Sequence, residues 1–298
     1  MTWPPHCVRR NEPLADHTSF RIGGPAEWFA EPSTINELIR VLREAHQAGL
    51  PVSVVGGGTN TLAADRGIRG VTIHLGREFR IVRDVPQPEP AVARVVCGAA
   101  LLTQRLVYLA AQHGWGDLES LAGLPGQIGG AVAMNAQDIG RCVRQVSLVR
   151  YDGTVTPLSR DQMQFRYRDA ALEPGIMAEV ELEFPRIPPE QASERIRQAL
   201  AYRNNTQDTR LPSAGCAFKN PPGVGAGRLI DQLGLKGARI GDAQVSARHA
   251  NFIVNVGQAT CDDVLSLMEH LQQRVRQETG VVLEPELRLL GEQWNRWA

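Results

Sequence analysis

The chain has 298 residues, and its 32 lysines and arginines equal its 32 aspartates and glutamates in number. At roughly 100 to 200 residues per domain, this length predicts two or three domains that fold without a disulfide or metal scaffold. The balanced charge gives no attraction to a phosphate backbone or an anionic membrane, so nucleic acid is not an expected partner. The first twenty residues contain prolines and charges where a signal peptide needs an apolar stretch, and no later run could span a bilayer. We therefore expect a cytoplasmic protein.

Hydrophobic periodicity and the glycine and proline stops predict the elements. In chain order they are helix 34–49, strand 52–55, helix 101–112, a hairpin of 146–149 with a strand at Val155, helix 190–203, helix 228–233, strand 252–256, helix 262–279 and strand 281–289. Thr34 and Glu37 are placed as a capping box for the first helix. The hairpin turn contains Asp152 and Gly153, a pair that favours positive φ.

Prolines between 185 and 189 interrupt regular structure, and we place a domain boundary there. The helices and strands that follow predict a compact α+β unit. The proline-rich stretch 86–90 predicts a surface loop.

The cysteines are five in number, lie far apart and form no CxxC pair: Cys7, Cys97, Cys142, Cys216 and Cys261. This spacing argues against both a disulfide framework and a zinc site. Each is therefore interpreted first as a reduced thiol, and no metal is expected.

Two glycine-rich segments are candidates for ligand binding. Gly56, Gly57 and Gly58 follow a buried strand, so their backbone N–H groups could converge on a diphosphate, although a tight turn at positive φ explains an isolated triplet equally well. The segment 122–132 holds four more glycines and a proline among small residues, which allows a large ligand close to the backbone. Neither segment has the Walker A or the Rossmann spacing, so the usual ATP and NAD interpretations are weak.

A third glycine pair lies in HTSFRIGGPA, residues 17–26. Together with VVGGGTN (54–60) and LAGLPGQIGGAV (121–132), it resembles in order and spacing the flavin-binding half of the UDP-N-acetylenolpyruvoylglucosamine reductase family. The resemblance implies non-covalent FAD in an α+β fold of the vanillyl-alcohol-oxidase type. It implies two FAD-binding subdomains, 1–76 and 77–187, and a substrate-binding domain, 188–298. The implied FAD contacts are Arg21, Gly56, Gly57, Gly58, Thr59, Asn60, Leu124, Pro125, Gly126, Ile128, Gly129 and Gly130.

Tyr167 and Arg168 are similar to the family's Tyr-Arg motif, whose arginine lies beside the enolpyruvyl carboxylate of the substrate. A guanidinium stays charged and offers a planar set of donors to a carboxylate. A surface arginine in a weak ion pair would be the better interpretation if the motif stood alone. The family usually has serine where this chain has Ala170.

The longest match is LPSAGCAFKNP, residues 211–221. Most family members have a proton-donating serine at the position of Cys216. A thiol, with an unperturbed pKa of about 8.5, is mostly protonated at neutral pH and is a better acid than a hydroxyl. The resemblance therefore implies that Cys216 is the proton donor, whereas an isolated cysteine is more often a buried structural residue.

The segment GVVLEPELR, residues 280–288, resembles the closing motif of the family, whose second glutamate is catalytic and corresponds to Glu286. Without the family, a solvated strand end would be the better interpretation. The implied substrate contacts are Tyr167, Arg203, Gln207, Lys219, Asn220, His249 and Asn251. Thr206 and Asp208 replace the residues usually found beside the glutamine.

The resemblance implies a compact, type II-like reductase of peptidoglycan synthesis. NADPH would reduce FAD, and the reduced flavin would then reduce UDP-N-acetylglucosamine enolpyruvate to UDP-N-acetylmuramate, with Arg168, Cys216 and Glu286 as the catalytic residues. Two alternatives stay open. One is an FAD-dependent carbohydrate oxidase of the same fold, and the other is a nucleotide-binding module without turnover.

Overall fold

The computed structural model describes residues 3, 6–206 and 211–291. The chain divides into two compact units. The first consists of residues 1–9, 28–57 and 70–203, and the second of residues 10–27, 58–69 and 204–298. The chain thus passes between the units several times before its last third.

The helices are α1 Ile35–Gln47, α2 Thr103–His113, α3 Ile128–Ala133, α4 Pro189–Thr206, α5 Ala226–Gln232 and α6 Cys261–Thr279. The strands are β1 Val8–Pro13, β2 Pro25–Ala30, β3 Val52–Val54, β4 Thr61–Ala63, β5 Ile68–Ile73, β6 Val82–Val85, β7 Val92–Gly98, β8 Val143–Val149, β9 Val155–Ser159, β10 Ile176–Pro185, β11 Ser213–Cys216, β12 Arg239–Ile240, β13 Ala243–Val245, β14 Phe252–Asn255 and β15 Arg288–Leu290. Strands β1, β2, β5 and β3 form one sheet in that order.

The first unit is built around an antiparallel sheet of order β6-β7-β10-β8-β9. Alternate residues of the central strand β10, including Val180, Leu182 and Phe184, are buried, as expected for a strand with one face on the core. Strand β3 pairs in parallel with the second half of β5 and leads directly into Gly56. The glycine turn is therefore fixed at the end of a strand.

The second unit contains the sheet of order β11-β14-β13-β12 and the long helix α6. The core contains buried apolar residues of α6, such as Leu267 and Leu271, and buried aromatic residues from two distant parts of the chain, Phe20 and Phe218. Strand β15 pairs in parallel with β4. This pairing fixes the position of the segment before β15, and that segment contains Glu286.

Several local predictions are confirmed. Thr34 and Glu37 form the capping box of α1, and the predicted hairpin is the β8–β9 pair. Gly153 has positive φ, whereas Asp152 contributes through its side chain, which accepts the Thr154 N–H at 2.8 Å.

The predicted strand 281–289 is wrong over most of its length, because only Arg288–Leu290 is a strand. Pro285 has no N–H for a ladder and forms a single bridge with Phe218. The helix predicted over 190–203 is α4, and its residues up to Arg203 belong to the first unit. The division into three domains at 76 and 187 stays a prediction.

Candidate functional site

The two glycine-rich segments meet in the first unit. A Cβ atom at Gly57 would lie 3.0 Å from the Cα of Gly126, and one at Gly56 would lie 3.1 Å from Oε1 of Gln127. A side chain at Gly57 would therefore press on the backbone of the second loop, and one at Gly56 would press on the side chain of Gln127. The sequence predicted both loops as ligand contacts, and the structure brings them together.

Gly129 and Gly130 are neighbours in α3 but have different reasons for lacking a side chain. A Cβ at Gly129 would lie 3.0 Å from the Cβ of Ala99, so internal packing requires glycine there. A Cβ at Gly130 would meet no protein atom within 4 Å, and the residue is exposed in a helix with ordinary φ. Neither packing nor backbone geometry therefore requires glycine at position 130.

The side chain of Gln104, on α2, holds the beginning of the second glycine segment. Its amide nitrogen donates to the carbonyls of Leu121 at 3.0 Å and Leu124 at 2.7 Å, and its oxygen accepts the Gly123 N–H at 2.9 Å. Pro125, which follows Leu124, is exposed, whereas Ile128 is fully buried and anchors α3. The sequence did not indicate a role for Gln104, because no local pattern shows with which loop the side chain of a helix residue will form hydrogen bonds.

Arg168 lies in a tight turn of the first unit. The Arg166 N–H donates to the Asp169 carbonyl at 2.9 Å, and the Asp169 N–H donates back at 3.3 Å. Tyr167 and Arg168 form the tip, with the guanidinium carbon 5.7 Å from the Tyr167 ring centroid. Tyr167 is exposed, Arg168 is half-buried and Ala170 is buried.

The second unit contains the third glycine of the triplet, Gly58. Gly58 has a φ of +62°, and a Cβ there would lie 2.1 Å from the His17 carbonyl oxygen, so only glycine fits. The Ser19 N–H donates to the Gly58 carbonyl at 3.1 Å, and the Ser19 hydroxyl donates to the Ser213 carbonyl at 2.6 Å. Ser19 therefore joins the glycine loop to the strand that carries Cys216. The sequence motif included Ser19, but spacing alone gave it no role.

Arg21 follows this serine on an exposed turn with a φ of +56°. The Arg21 N–H closes the turn on the Thr18 carbonyl at 3.0 Å. Its guanidinium is thus presented on the surface of the second unit by a backbone that is fixed locally.

Cys216 and Glu286 lie on neighbouring segments of the second unit. The Glu286 N–H donates to the carbonyl of Ala217 at 2.8 Å, and Asn60 donates its side-chain amide to the Glu286 carbonyl at 3.3 Å. Gly215, with a φ of +78°, precedes the cysteine, and a Cβ there would lie 4.0 Å from the Thr59 carbonyl oxygen. The structure thus groups Thr59, Asn60, Cys216 and Glu286.

Burial separates Cys216 from the other cysteines. Of the five, all of which lie in the described part of the chain, four are buried and Cys216 is partly exposed. Burial raises the pKa of Cys97 to about 12 and that of Cys142 to about 11. Cys97 and Cys142 are therefore buried packing groups, whereas Cys216 is partly exposed.

The remaining predicted substrate residues of the second unit have different surroundings. Lys219 pairs with Glu284 at 3.4 Å on the surface, and Asn220 accepts the Ala226 N–H at 3.0 Å at the start of α5. Asn251 is buried, and its amide is used twice by the backbone of Phe218, at 3.0 and 2.8 Å. The structure therefore gives Asn251 the role of holding the strand end beside Cys216.

His249 is half-buried, with its ring 4.4 Å from that of Phe252. Burial lowers the pKa of His249, and the positive charge of Lys236 lowers it further. The Nδ1 atom is buried without a hydrogen-bond partner among the described residues. Burial of the ring therefore disfavours its charged form.

In the first unit, Arg203 donates to the Ser120 carbonyl at 3.1 Å, and its side chain lies against Gly123. Arg203 therefore fastens α4 to the second glycine segment. Gln207 and Asp208 lie outside the described residues.

The two parts of this arrangement match two family models. Residues 26–159 match a model described as an FAD binding domain. Residues 206–290 match the model of the UDP-N-acetylenolpyruvoylglucosamine reductase C-terminal domain. The fold and site thus define an FAD-binding protein with the C-terminal domain of this reductase, and the predicted fold class is confirmed.

Proteins similar in sequence and structure align with this chain over nearly its whole length. UDP-N-acetylenolpyruvoylglucosamine reductase 2 of Symbiobacterium thermophilum is 41% identical, over 98% of this chain and 94% of its own length. The reductase of Syntrophotalea carbinolica is 42% identical, over 96% of this chain and 95% of its own. The crystal structure of the reductase from Thermus caldophilus is 38% identical and superimposes with a TM-score of 0.79, covering 95% of this chain and 98% of that one. This chain belongs to the UDP-N-acetylenolpyruvoylglucosamine reductase family.

Among the described residues, no helix combines the length and the apolar character needed to cross a membrane.

Proposed function

We propose that this protein reduces UDP-N-acetylglucosamine enolpyruvate to UDP-N-acetylmuramate, with FAD as cofactor and NADPH as reductant. Family membership supports the reaction, and the observation in the structure that carries it is the setting of Cys216. This partly exposed thiol follows a glycine that requires positive φ and lies beside the segment of Glu286.

FAD fits the residues present, because Gly56 and Gly57 keep the loop thin and Gly130 leaves the surface of α3 open to a ligand. When bound, FAD would supply the redox chemistry, the transfer of a hydride equivalent from NADPH to the outer carbon of the enolpyruvyl double bond. The residues proposed to hold it are Arg21, Gly56 to Asn60, Leu124 to Gly126 and Ile128 to Gly130.

Hydride addition to the outer carbon leaves negative charge on the adjacent carbon and on its carboxylate. We assign Arg168 to the carboxylate, because a guanidinium binds both of its oxygens and remains charged throughout. Glu286 is assigned to orienting the reacting group, from a backbone position fixed by Ala217 and Asn60.

Cys216 completes the reaction as the proposed proton donor. Its S–H bond breaks as a C–H bond forms at the carbon next to the carboxylate, and the resulting thiolate regains a proton from solvent. The overall reaction consumes one NADPH and one proton for each double bond that is reduced.

The substrate class is a UDP-sugar, and Tyr167, Arg203, Gln207, Lys219, Asn220, His249 and Asn251 remain the proposed substrate-binding residues. For Asn251, whose amide is used by Phe218, the proposed contribution acts through the position of β11. We propose a cytoplasmic location, because NADPH and UDP-sugars are supplied there.

Product analysis tests this function. The purified holoenzyme, NADPH and UDP-N-acetylglucosamine enolpyruvate should give a product two mass units heavier, with one NADPH consumed per product. In D₂O, one deuterium should appear at the carbon next to the carboxylate. NADPH consumption coupled only to oxygen uptake, with the sugar unchanged, would instead support the oxidase alternative.

A further inference from the structure

Asn135 connects the glycine-rich helix α3 to the turn that carries Arg168. It follows Met134, the C-cap residue of α3, and is 9% exposed. Its side-chain amide nitrogen donates to the Arg166 carbonyl at 2.9 Å, and its side-chain oxygen accepts the Gly140 N–H at 3.0 Å. One buried side chain therefore fixes the first residue of the Arg166–Asp169 turn.

The backbone of Asn135 is also fully used. Its N–H donates to the Val132 carbonyl at 3.0 Å, and its carbonyl accepts the Asp138 N–H at 3.1 Å. Its φ of 41° lies in the left-handed region, which asparagine tolerates better than most residues. Asparagine suits this position because it combines that tolerance with one donor and one acceptor in a short side chain.

The contact with Gly140 brings a second part of the turn into place. A Cβ at Gly140 would lie 2.5 Å from the ring of Phe165 and 2.9 Å from the Asn135 side-chain oxygen. The ring of Phe165 therefore packs directly on the glycine that Asn135 holds. Both residues immediately before the tip, Phe165 and Arg166, are thus positioned by the same asparagine.

The turn needs such support. Arg168 has a φ of 57°, and a non-glycine residue in this region costs free energy that the surroundings must offset. The hydrogen bonds between Arg166 and Asp169 close the turn, but they do not attach it to the rest of the unit. The bond from Asn135 to the Arg166 carbonyl is one contact that makes this attachment.

We infer that Asn135 is a positioning residue for the reductase reaction: it holds the Arg166–Asp169 turn so that Arg168 is oriented before the substrate carboxylate arrives. The inference rests on the proposed function, since it needs Arg168 to bind that carboxylate. Asn135 does not touch substrate and acts through Arg168.

Two substitutions separate the contacts. Asn135→Asp keeps the acceptor for Gly140 but places a carboxylate oxygen against the Arg166 carbonyl. Asn135→Gly keeps the left-handed backbone and removes both side-chain bonds. The matched control is Gln137→Gly, because Gln137 is exposed and has a φ of 53° in the same segment.

The experiment measures the Kd of the oxidised holoenzyme for UDP-N-acetylglucosamine enolpyruvate by flavin absorbance, together with the rate of flavin reduction by NADPH. A buried hydrogen bond of typical strength predicts that both Asn135 variants weaken sugar binding by roughly tenfold. Flavin reduction should change less than twofold, and Gln137→Gly should match wild type in both measurements.

A double-mutant cycle tests whether Asn135 acts through Arg168. In an Arg168→Ala background, Asn135→Gly should change the Kd less than twofold. An equal loss in both backgrounds, equal losses of sugar binding and flavin reduction, or an unchanged Kd would overturn the inference. If Asn135→Gly does not retain FAD, Asn135→Asp replaces it in the cycle. Failure of the wild-type enzyme to bind the sugar would overturn the proposed function itself.

Discussion

At the scale of single residues, the two arginines with proposed ligand roles share an unusual backbone. Arg21 and Arg168 have φ values of 56° and 57°, a region that glycine occupies at lower cost. A non-glycine residue with such a φ costs free energy that its contacts or its role must offset. Cys216 differs from the other cysteines in another way, because it is partly exposed whereas the other four are buried.

Removing the Cys216 thiol should separate the two half-reactions. Cys216→Ala should leave the rate of flavin reduction by NADPH within about twofold of wild type, but lower the rate of sugar reduction by about 100-fold or more, as expected for the loss of a general acid. Cys216→Ser should keep part of the second rate, because a hydroxyl also has a proton to give. Rapid mixing under anaerobic conditions measures both rates.

Cys142→Ala is the control for this comparison, because Cys142 is a buried thiol of the first unit. Its effect should be confined to stability. A similar loss of both half-reactions in Cys216→Ala would contradict its assignment as the proton donor.

At the scale of elements, the adjacent glycines of α3 have different surroundings, which fits a packing role for Gly129 and the proposed FAD contact for Gly130. Gly129 faces Ala99 at contact distance, whereas Gly130 faces no protein atom within 4 Å. The first turn of α3 is held in place by hydrogen bonds to another segment. Ile128 donates its N–H to the Leu101 carbonyl at 2.9 Å, and Gly129 donates its N–H to the Ala99 carbonyl at 2.8 Å.

This difference predicts opposite effects for two substitutions in one helix. Gly130→Ala should keep or raise the stability of the FAD-free protein, since alanine is favoured over glycine in a helix by about 1 kcal/mol, yet it should weaken FAD binding. Gly129→Ala should lower the stability of the FAD-free protein by roughly 1–3 kcal/mol through overpacking against Ala99. Thermal unfolding without FAD and titration with FAD measure the two effects. Unchanged FAD affinity in Gly130→Ala would contradict the proposed role of Gly130.

The elements that the sequence predicted correctly are those with a local cause. The capping box of Thr34 and Glu37 begins α1, and Gly114 ends α2 in the left-handed conformation. The segment 281–287 was predicted wrongly because its apolar residues resemble a strand, while Pro285 and two hydrogen bonds to the segment of Phe218 decide its path.

Roles that depend on contacts between residues far apart in the chain could not be predicted from the sequence. Ser19 meets Ser213 across 194 positions, and Asn135 meets Arg166 across 31. Nothing in the spacing of either residue indicates its partner. The motifs therefore indicated the candidate site residues, whereas the residues that hold them in place are seen only in the structure.

At the scale of the whole molecule, the proposed chemistry is shared between two units. The first contains Gly56, Gly57, the second glycine segment and Arg168. The second contains Arg21, the remainder of the glycine triplet, Cys216 and Glu286. Each unit has its own core of buried apolar residues. The proposed catalytic residues are thus distributed over both units, and binding of FAD alone does not establish the reductase reaction.

The most direct test of the account follows the flavin through both half-reactions. The purified holoenzyme is reduced with one equivalent of NADPH under anaerobic conditions and then mixed with UDP-N-acetylglucosamine enolpyruvate in a stopped-flow spectrophotometer. We predict that NADPH bleaches the flavin absorbance and that the sugar restores it without oxygen. A flavin that NADPH bleaches but only oxygen restores would contradict the assignment as a reductase of this sugar.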